Sequence, residues 1–186
     1  GQNVVLFNID TASGTTINNN FFISLTVGST YTIGNISQST FTYAGNSNLA
    51  SNGTFISGKN SAVYLDGANI TSDSGAVNTA AVALDGQYTG ILPAGMTANT
   101  DGENNGNITF GDSSVSLYGK NGSRLSKQGI ITVENNSAAL MTSGTGSSAE
   151  NTGTINIGTG SQGMVVKDGT DIKNISGMIS GTGVGS

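Results

Sequence analysis

Gly106-Asn107-Ile108-Thr109-Phe110, Gly129-Ile130-Ile131-Thr132-Val133, Gly153-Thr154-Ile155-Asn156-Ile157 and Gly177-Met178-Ile179-Ser180 are four versions of one phrase, and their glycines advance by 23, 24 and 24 residues. After a polar turn each of the first three is followed by a second apolar run: Val115-Ser116-Leu117-Tyr118, Ala138-Ala139-Leu140-Met141 and Met164-Val165-Val166. A fixed period of roughly 20 to 50 residues marks one supersecondary unit stacked many times, each burying its apolar face against its neighbours. The same grammar reads backwards into the chain, with Gly53 leading Thr54-Phe55-Ile56 and then Ala62-Val63-Tyr64-Leu65, and Gly75 leading Ala76-Val77 and then Val82-Ala83-Leu84. The step from Gly75 to Gly106 is 31 residues, which predicts about eight extra residues in that coil.

The apolar runs are short, alternate with Ser, Thr or Asn, and are fenced by Gly, Asn or Asp, which makes them strands too brief to be helices. A strand rises about 3.3 Å per residue and its neighbours lie about 4.8 Å away, so a repeat of this length wraps once and lands one rung higher. The predicted fold is therefore all-β, a right-handed parallel β-helix (solenoid) with coils of about 22–24 residues and two or three strands per coil. The chain of 186 residues would make about eight rungs. Residues 51–186 read as regular repeats with a loop insertion at about 87–103; residues 1–50, aromatic-rich and less periodic, read as irregular lead-in coils, with Phe21 to Val27 and Tyr31 to Ile33 as buried strands.

Composition agrees. With 29 Gly, 1 Pro and only 9% charged residues, the chain lacks the charge and proline that accompany disorder. Asp66-Gly67, Asp85-Gly86, Asp101-Gly102, Asp168-Gly169, Asn52-Gly53, Asn105-Gly106 and Asn121-Gly122 supply the pairs that tight corners need. Asn and Thr at equivalent rung positions can form hydrogen-bonded ladders up the stack.

The absence of His, Cys and Trp bounds the chemistry. A Ser-His-Asp triad, a Cys-His pair and an ordinary zinc site cannot be built from this chain alone, and no cofactor is expected. No apolar run approaches the ~18 residues of a membrane helix, and Gly1-Gln2-Asn3 has neither the basic region nor the apolar core of a signal peptide. The absence of an initiating Met suggests a processed or excised piece, and the unpaired end at Gly181 to Ser186 suggests that the natural chain continues. Six basic residues against eleven acidic ones, with only Lys120, Arg124 and Lys127 close in sequence, argue against nucleic acid.

Gly158-Thr159-Gly160-Ser161-Gln162-Gly163 spells G-x-G-x-x-G, but the residues that follow read as a strand, so these glycines are expected to be solenoid corners rather than a nucleotide cradle. Tyr64-Leu65-Asp66-Gly67 and Ala83-Leu84-Asp85-Gly86 look nearly in register, which would stack Asp66 on Asp85 about one rung apart, a spacing compatible with a glycosidase pair or with calcium, or simply with two solvated corners. Asn35-Ile36-Ser37, Asn69-Ile70-Thr71 and Asn107-Ile108-Thr109 match the glycosylation pattern, as chance provides in so Asn-rich a chain. The insertion holds the sole proline. Insertions leave a solenoid as loops, often on its recognition face, and here Tyr88, Leu92, Pro93, Asp101 and Glu103 are the candidate partner-binding residues.

The unit Asn105 to Tyr118, and its echo Thr152 to Met164, resemble the repeats of large bacterial autotransporter passengers, in flavour the Asn/Gly/Ser-rich passengers of fusobacterial type V adhesins. The resemblance covers residues 51–186 and is faint before them. It implies a virulence-associated β-helical passenger at the bacterial cell surface or released from it, attached to the outer membrane through a C-terminal β-barrel absent from this sequence. It also implies adhesion to a receptor, protein or glycan, on host cells or other bacteria. The His required by serine-protease passengers is missing. An adhesive, non-catalytic rod is thus the first expectation. The alternatives are a polysaccharide lyase or hydrolase using Asp66, Asp73 or Asp85 with Lys59 or Lys120, and a trimeric glycan-binding fibre module.

Overall fold

The computed structural model describes residues 3–10, 15–17, 21–22, 30–168 and 171–185. They wind as a parallel β-solenoid with three faces, each a sheet of seven strands, and contain no helix. Sheet 1 stacks β1 (Asn3–Asp10), β4 (Thr30–Ser37), β7 (Gly53–Lys59), β10 (Ala80–Asp85), β13 (Val115–Lys120), β16 (Ala138–Ser143) and β19 (Gln162–Lys167). Sheet 2 stacks β2 (Thr15–Ile17), β5 (Thr40–Tyr43), β8 (Ala62–Leu65), β11 (Gly102–Asn104), β14 (Arg124–Lys127), β17 (Ser148–Asn151) and β20 (Asp171–Asn174). Sheet 3 stacks β3 (Phe21–Phe22), β6 (Asn46–Leu49), β9 (Asn69–Ser72), β12 (Asn107–Phe110), β15 (Ile130–Val133), β18 (Thr154–Ile157) and β21 (Met178–Gly181). Every third strand returns to the same sheet, so one coil contributes one strand to each face.

The periodic isoleucines are the spine of this stack. Ile70, Ile108, Ile131, Ile155 and Ile179 are successive register partners in sheet 3, and the first four are 0% exposed. Each such burial is worth about 1.5–3 kcal/mol. Phe110, Val133 and Ile157 form a parallel buried column two residues on.

The glycine period has a separate cause, which is backbone proximity at the corner between sheets 2 and 3. A Cβ on Gly129 would fall on the carbonyl oxygen of Gly106 and 2.8 Å from its nitrogen; one on Gly106 would strike Ala68, and one on Gly153 would strike Gln128 and Gly129. Two residues earlier an asparagine ties the Gly106 and Gly153 corners. Asn104 accepts from Gly106 N–H at 3.2 Å and donates to its carbonyl at 3.1 Å, and Asn151 accepts from Gly153 N–H at 3.1 Å and donates to Asn174 at 2.7 Å. Lys127 occupies this ladder between Asn104 and Asn151, wholly buried, its ammonium donating to the Gly129 carbonyl, and burial pushes it down to about 8. At the corner between sheets 3 and 1 hydroxyls play the same part: Ser114, Ser137 and Ser161 accept from the backbone N–H of Thr79, Ser114 and Ser137 at 3.2, 3.0 and 3.0 Å. The serine hydroxyls at this corner thus meet backbone N–H groups of the neighbouring rung, while Asn104, Lys127 and Asn151 bond mainly within their own corner. The buried Ser47 and Ser116 hydroxyls have no partner among the described residues.

The structure revises several details. The described residues make seven rungs, not eight, because the steps from Asn3 to Thr30 and from Thr54 to Ala80 are longer than the later ones and the insertion is larger than expected. Gly53 opens a sheet 1 strand, and Gly75 sits in a turn at φ 74°; the true equivalents of the later phrases are Asn46–Leu49 and Asn69–Ser72. Asp85 overlays Lys120 while Gly102 overlays Leu125, so seventeen steps cover what the next coil covers in five, an insertion of twelve residues rather than eight. Asp101-Gly102 and Asn105-Gly106 do not adopt the left-handed backbone, unlike Gly67, Gly86 and Asn121-Gly122. β1 to β6 lie in the same three sheets, and Tyr31 to Ile33 fall in β4, but Ile23 to Val27 lie outside the described residues. The early aromatics fill the core of these coils, with Tyr43 and Phe55 ring centroids 4.6 Å apart and Phe7 stacked on Phe41.

Candidate functional site

The insertion does not project freely. It folds back over the outer face of sheet 2, where Tyr88 and Leu92 pack on a small cluster of Ala62, Tyr64 and Met96. Its closing end is clamped by Asp101, wholly buried, whose carboxylate takes Nη2 and Nε of Arg124 at 2.8 and 2.9 Å, the Arg124 N–H at 2.7 Å and the Tyr88 N–H at 2.9 Å. Arg124 also reaches the Tyr88 carbonyl at 3.3 Å, and the Asp101 carboxylate raises the pKa of its guanidinium. Glu103, 1% exposed, accepts from Thr97 N–H at 2.7 Å and from Gln128 Nε2 at 3.0 Å. Burial holds its carboxyl above the usual range against those hydrogen bonds.

Of the five residues marked in the sequence as partner contacts, Asp101 and Glu103 are therefore anchors with no surface to offer. A sequence shows that a carboxylate lies beside an insertion, not that the insertion folds back over it. Tyr88, Leu92 and Pro93 are half-buried in the loop's base. The side chain that stands out is Ile91, 90% exposed at the loop's crest, between Gly90 and Leu92. It was legible only as an apolar residue outside any alternating run.

A second surface lies on the outer face of sheet 1. A groove follows the solenoid axis from Asn8 and Asn35 past Ser57 and Ala83 to Tyr118, one residue per rung. Its wall is the next outward column, Ser37, Lys59, Asp85 and Lys120, and the same column runs on beyond the groove's Tyr118 end through Ser143 to Lys167. Lys120 pairs with Asp85 at 3.1 Å. The Asn121 amide, at 2.7 Å, together with Lys120 and Lys59, holds Asp85 below the usual carboxylate range. Tyr118 is fixed by a 2.9 Å hydrogen bond with Ser143.

Comparison with protein-family models, curated proteins and solved structures finds no match.

The register separates residues that the sequence seemed to join. Asp66 follows β8 in sheet 2 and Asp85 ends β10 in sheet 1, so they are not stacked, and the rung neighbours of Asp85 are Lys59 and Lys120. Asp73, at the end of the sheet 3 strand, takes the Asn48 amide. Among the described residues no three carboxylates gather as metal ligands would. Lys120, Arg124 and Lys127 also part company: one faces the sheet 1 groove, one clamps the insertion and one is inside the stack. Gly158 to Gly163 leads into β19, a strand paired with β16, rather than into a helix.

Proposed function

We propose that this chain is a rigid recognition rod, a non-catalytic surface passenger segment of the autotransporter type, and that it acts in adhesion to host cells or other bacteria through its insertion. The observation that carries this reading is the buried Asp101–Arg124 clamp, which spends two charged side chains on holding a loop in one shape while Ile91 is left in water at 90% exposure. A pre-organised loop loses little entropy on binding, and an apolar crest on a rigid base is how interface anchors are presented. The sheets supply stiffness and the loop supplies selectivity. The cell-surface receptor, protein or glycan, and the outer-membrane attachment belong to the same proposal and rest on the repeat resemblance.

Labelled chain added to epithelial cells and to bacterial lawns should show saturable binding. Ile91→Asp, which leaves every clamp residue in place, is expected to weaken that binding by tenfold or more, about 1.4 kcal/mol or above, with an unchanged melting curve. Undiminished binding by Ile91→Asp would remove the loop from the account. Release of reducing ends from a polysaccharide incubated with the chain would contradict a non-catalytic role.

A further inference from the structure

We infer that the groove on the outer face of sheet 1 binds a linear acidic polysaccharide, one carrying carboxylate or sulfate groups along its length, laid parallel to the solenoid axis. This surface is separate from the insertion and does not depend on the insertion being the receptor contact.

The shape argues for a polymer. The lining residues Asn8, Asn35, Ser57, Ala83 and Tyr118 come from five successive rungs, so the groove is long, straight and open rather than a closed pocket for a small molecule. Its floor suits sugar. Asn35 and Ser57 offer an amide and a hydroxyl that are not committed to partners among the described residues. At one end Tyr118, its hydroxyl tied to Ser143 at 2.9 Å, gives a fixed aromatic surface against which an apolar sugar face can pack.

The charge argues for an anion. Three of the chain's six basic residues, Lys59, Lys120 and Lys167, stand in one column, on alternate rungs, in a protein whose net charge is −5. Alternate rungs are about 10 Å apart. Alternate units of an extended sugar chain face the same way, so its acidic groups can meet successive lysines. Lys59 and Lys167 are exposed and have no ion pair among the described residues, and Lys120 is only partly engaged by Asp85. Asp85 is the single acidic side chain described in the column; the backbone register places Asp10 at its far end, one rung below Ser37. Cations left unpaired in an otherwise acidic chain concentrate positive potential where the groove runs.

Fluorescently labelled oligouronate is the probe, with oligodextran as the neutral control and single-stranded DNA as the competing polyanion. Binding to the oligouronate should exceed binding to dextran and weaken as salt rises. Lys59→Gln with Lys167→Gln is expected to lower affinity about tenfold, since two partly exposed charge contacts are lost. Tyr118→Ala should lower it as well. Asp85→Asn should raise it about threefold by removing the one opposing charge, an effect that damage to the fold could not produce. Melting curves verify that all variants are folded. Equal binding of dextran and oligouronate, indifference to the lysines, a loss of affinity with Asp85→Asn, no binding at all, or tighter binding of single-stranded DNA would each overturn the inference. Because Ile91→Asp leaves this groove intact, cell binding by the loop and glycan binding by the sheet can fail separately.

Discussion

Gly129→Ala should destabilise the solenoid by about 3–5 kcal/mol, a severe loss for one added methyl. The methyl would enter the space of the Gly106 carbonyl in the coil beneath, and the obstacle is backbone, not the movable end of a side chain. Relief requires the two coils to separate at the corner, which breaks the 2.9 Å hydrogen bond from Ile130 N to Gly106 O. In a stack held by nearest-neighbour interfaces, one opened interface divides the array. A fall in melting temperature of about 10 °C or more is expected, accompanied by faster hydrogen exchange in β12 and β15. Ala68→Gly, at the equivalent corner one coil lower, is the counterpart. It removes a methyl already accommodated at 1% exposure and should cost only about 1 kcal/mol. If the two substitutions cost the same, glycine at these corners answers to something other than close stacking.

Arg124→Ala should cost about 3 kcal/mol and release the insertion. The Asp101 carboxylate would remain at 0% exposure without its bidentate partner, held only by the backbone N–H groups of Tyr88 and Arg124. Stranding a buried charge is far more costly than removing a surface pair, for which less than about 1 kcal/mol is usual. The expected signature is local: limited proteolysis between residues 87 and 100, and faster exchange of the Tyr88 amide, while the sheet 3 column stays protected. Replacing both charges, Asp101→Asn with Arg124→Gln, should cost less than Arg124→Ala alone, because no charge is then left unpaired. A larger loss in the double variant would show that the pair stabilises the loop outright rather than merely satisfying its own burial.

The parts of this molecule that could be read in advance are those where one residue repeats one job. Ile108, Ile131 and Ile155 appear at the coil spacing because each fills the same place in the core, and Gly106, Gly129 and Gly153 because each passes the same corner. The first coils hid their frame for a physical reason. Their spacing varies, with Asn3 over Thr30, Tyr31 over Gly53 and Thr54 over Ala80, and aromatic packing by Phe41, Tyr43 and Phe55 replaces the aliphatic columns. Gly53 therefore resembled a corner glycine although its strand belongs to another face. The apparent Asp66 and Asp85 pair failed for the same reason, since similar tetrapeptides fell in different sheets. The groove column of Lys59, Asp85 and Lys120 was invisible because the long insertion lies between two of its members, and only the register restores them to adjacent rungs.

Because the chain contains no cysteine, the stacking itself can be tested by paired substitution. Thr109 and Thr132 face outward as register partners on adjacent rungs, and Asn156 is the partner of Thr132 one rung further. Adjacent strands lie about 4.8 Å apart, within the Cα separation a disulfide spans, whereas two rungs exceed it. Under mild oxidation, Thr109→Cys with Thr132→Cys should close to an intramolecular disulfide in near-complete yield, and Thr109→Cys with Asn156→Cys should stay reduced. Failure of the first pair to close, or closure of the second as readily as the first, would contradict a fold in which each coil lies directly on the one before.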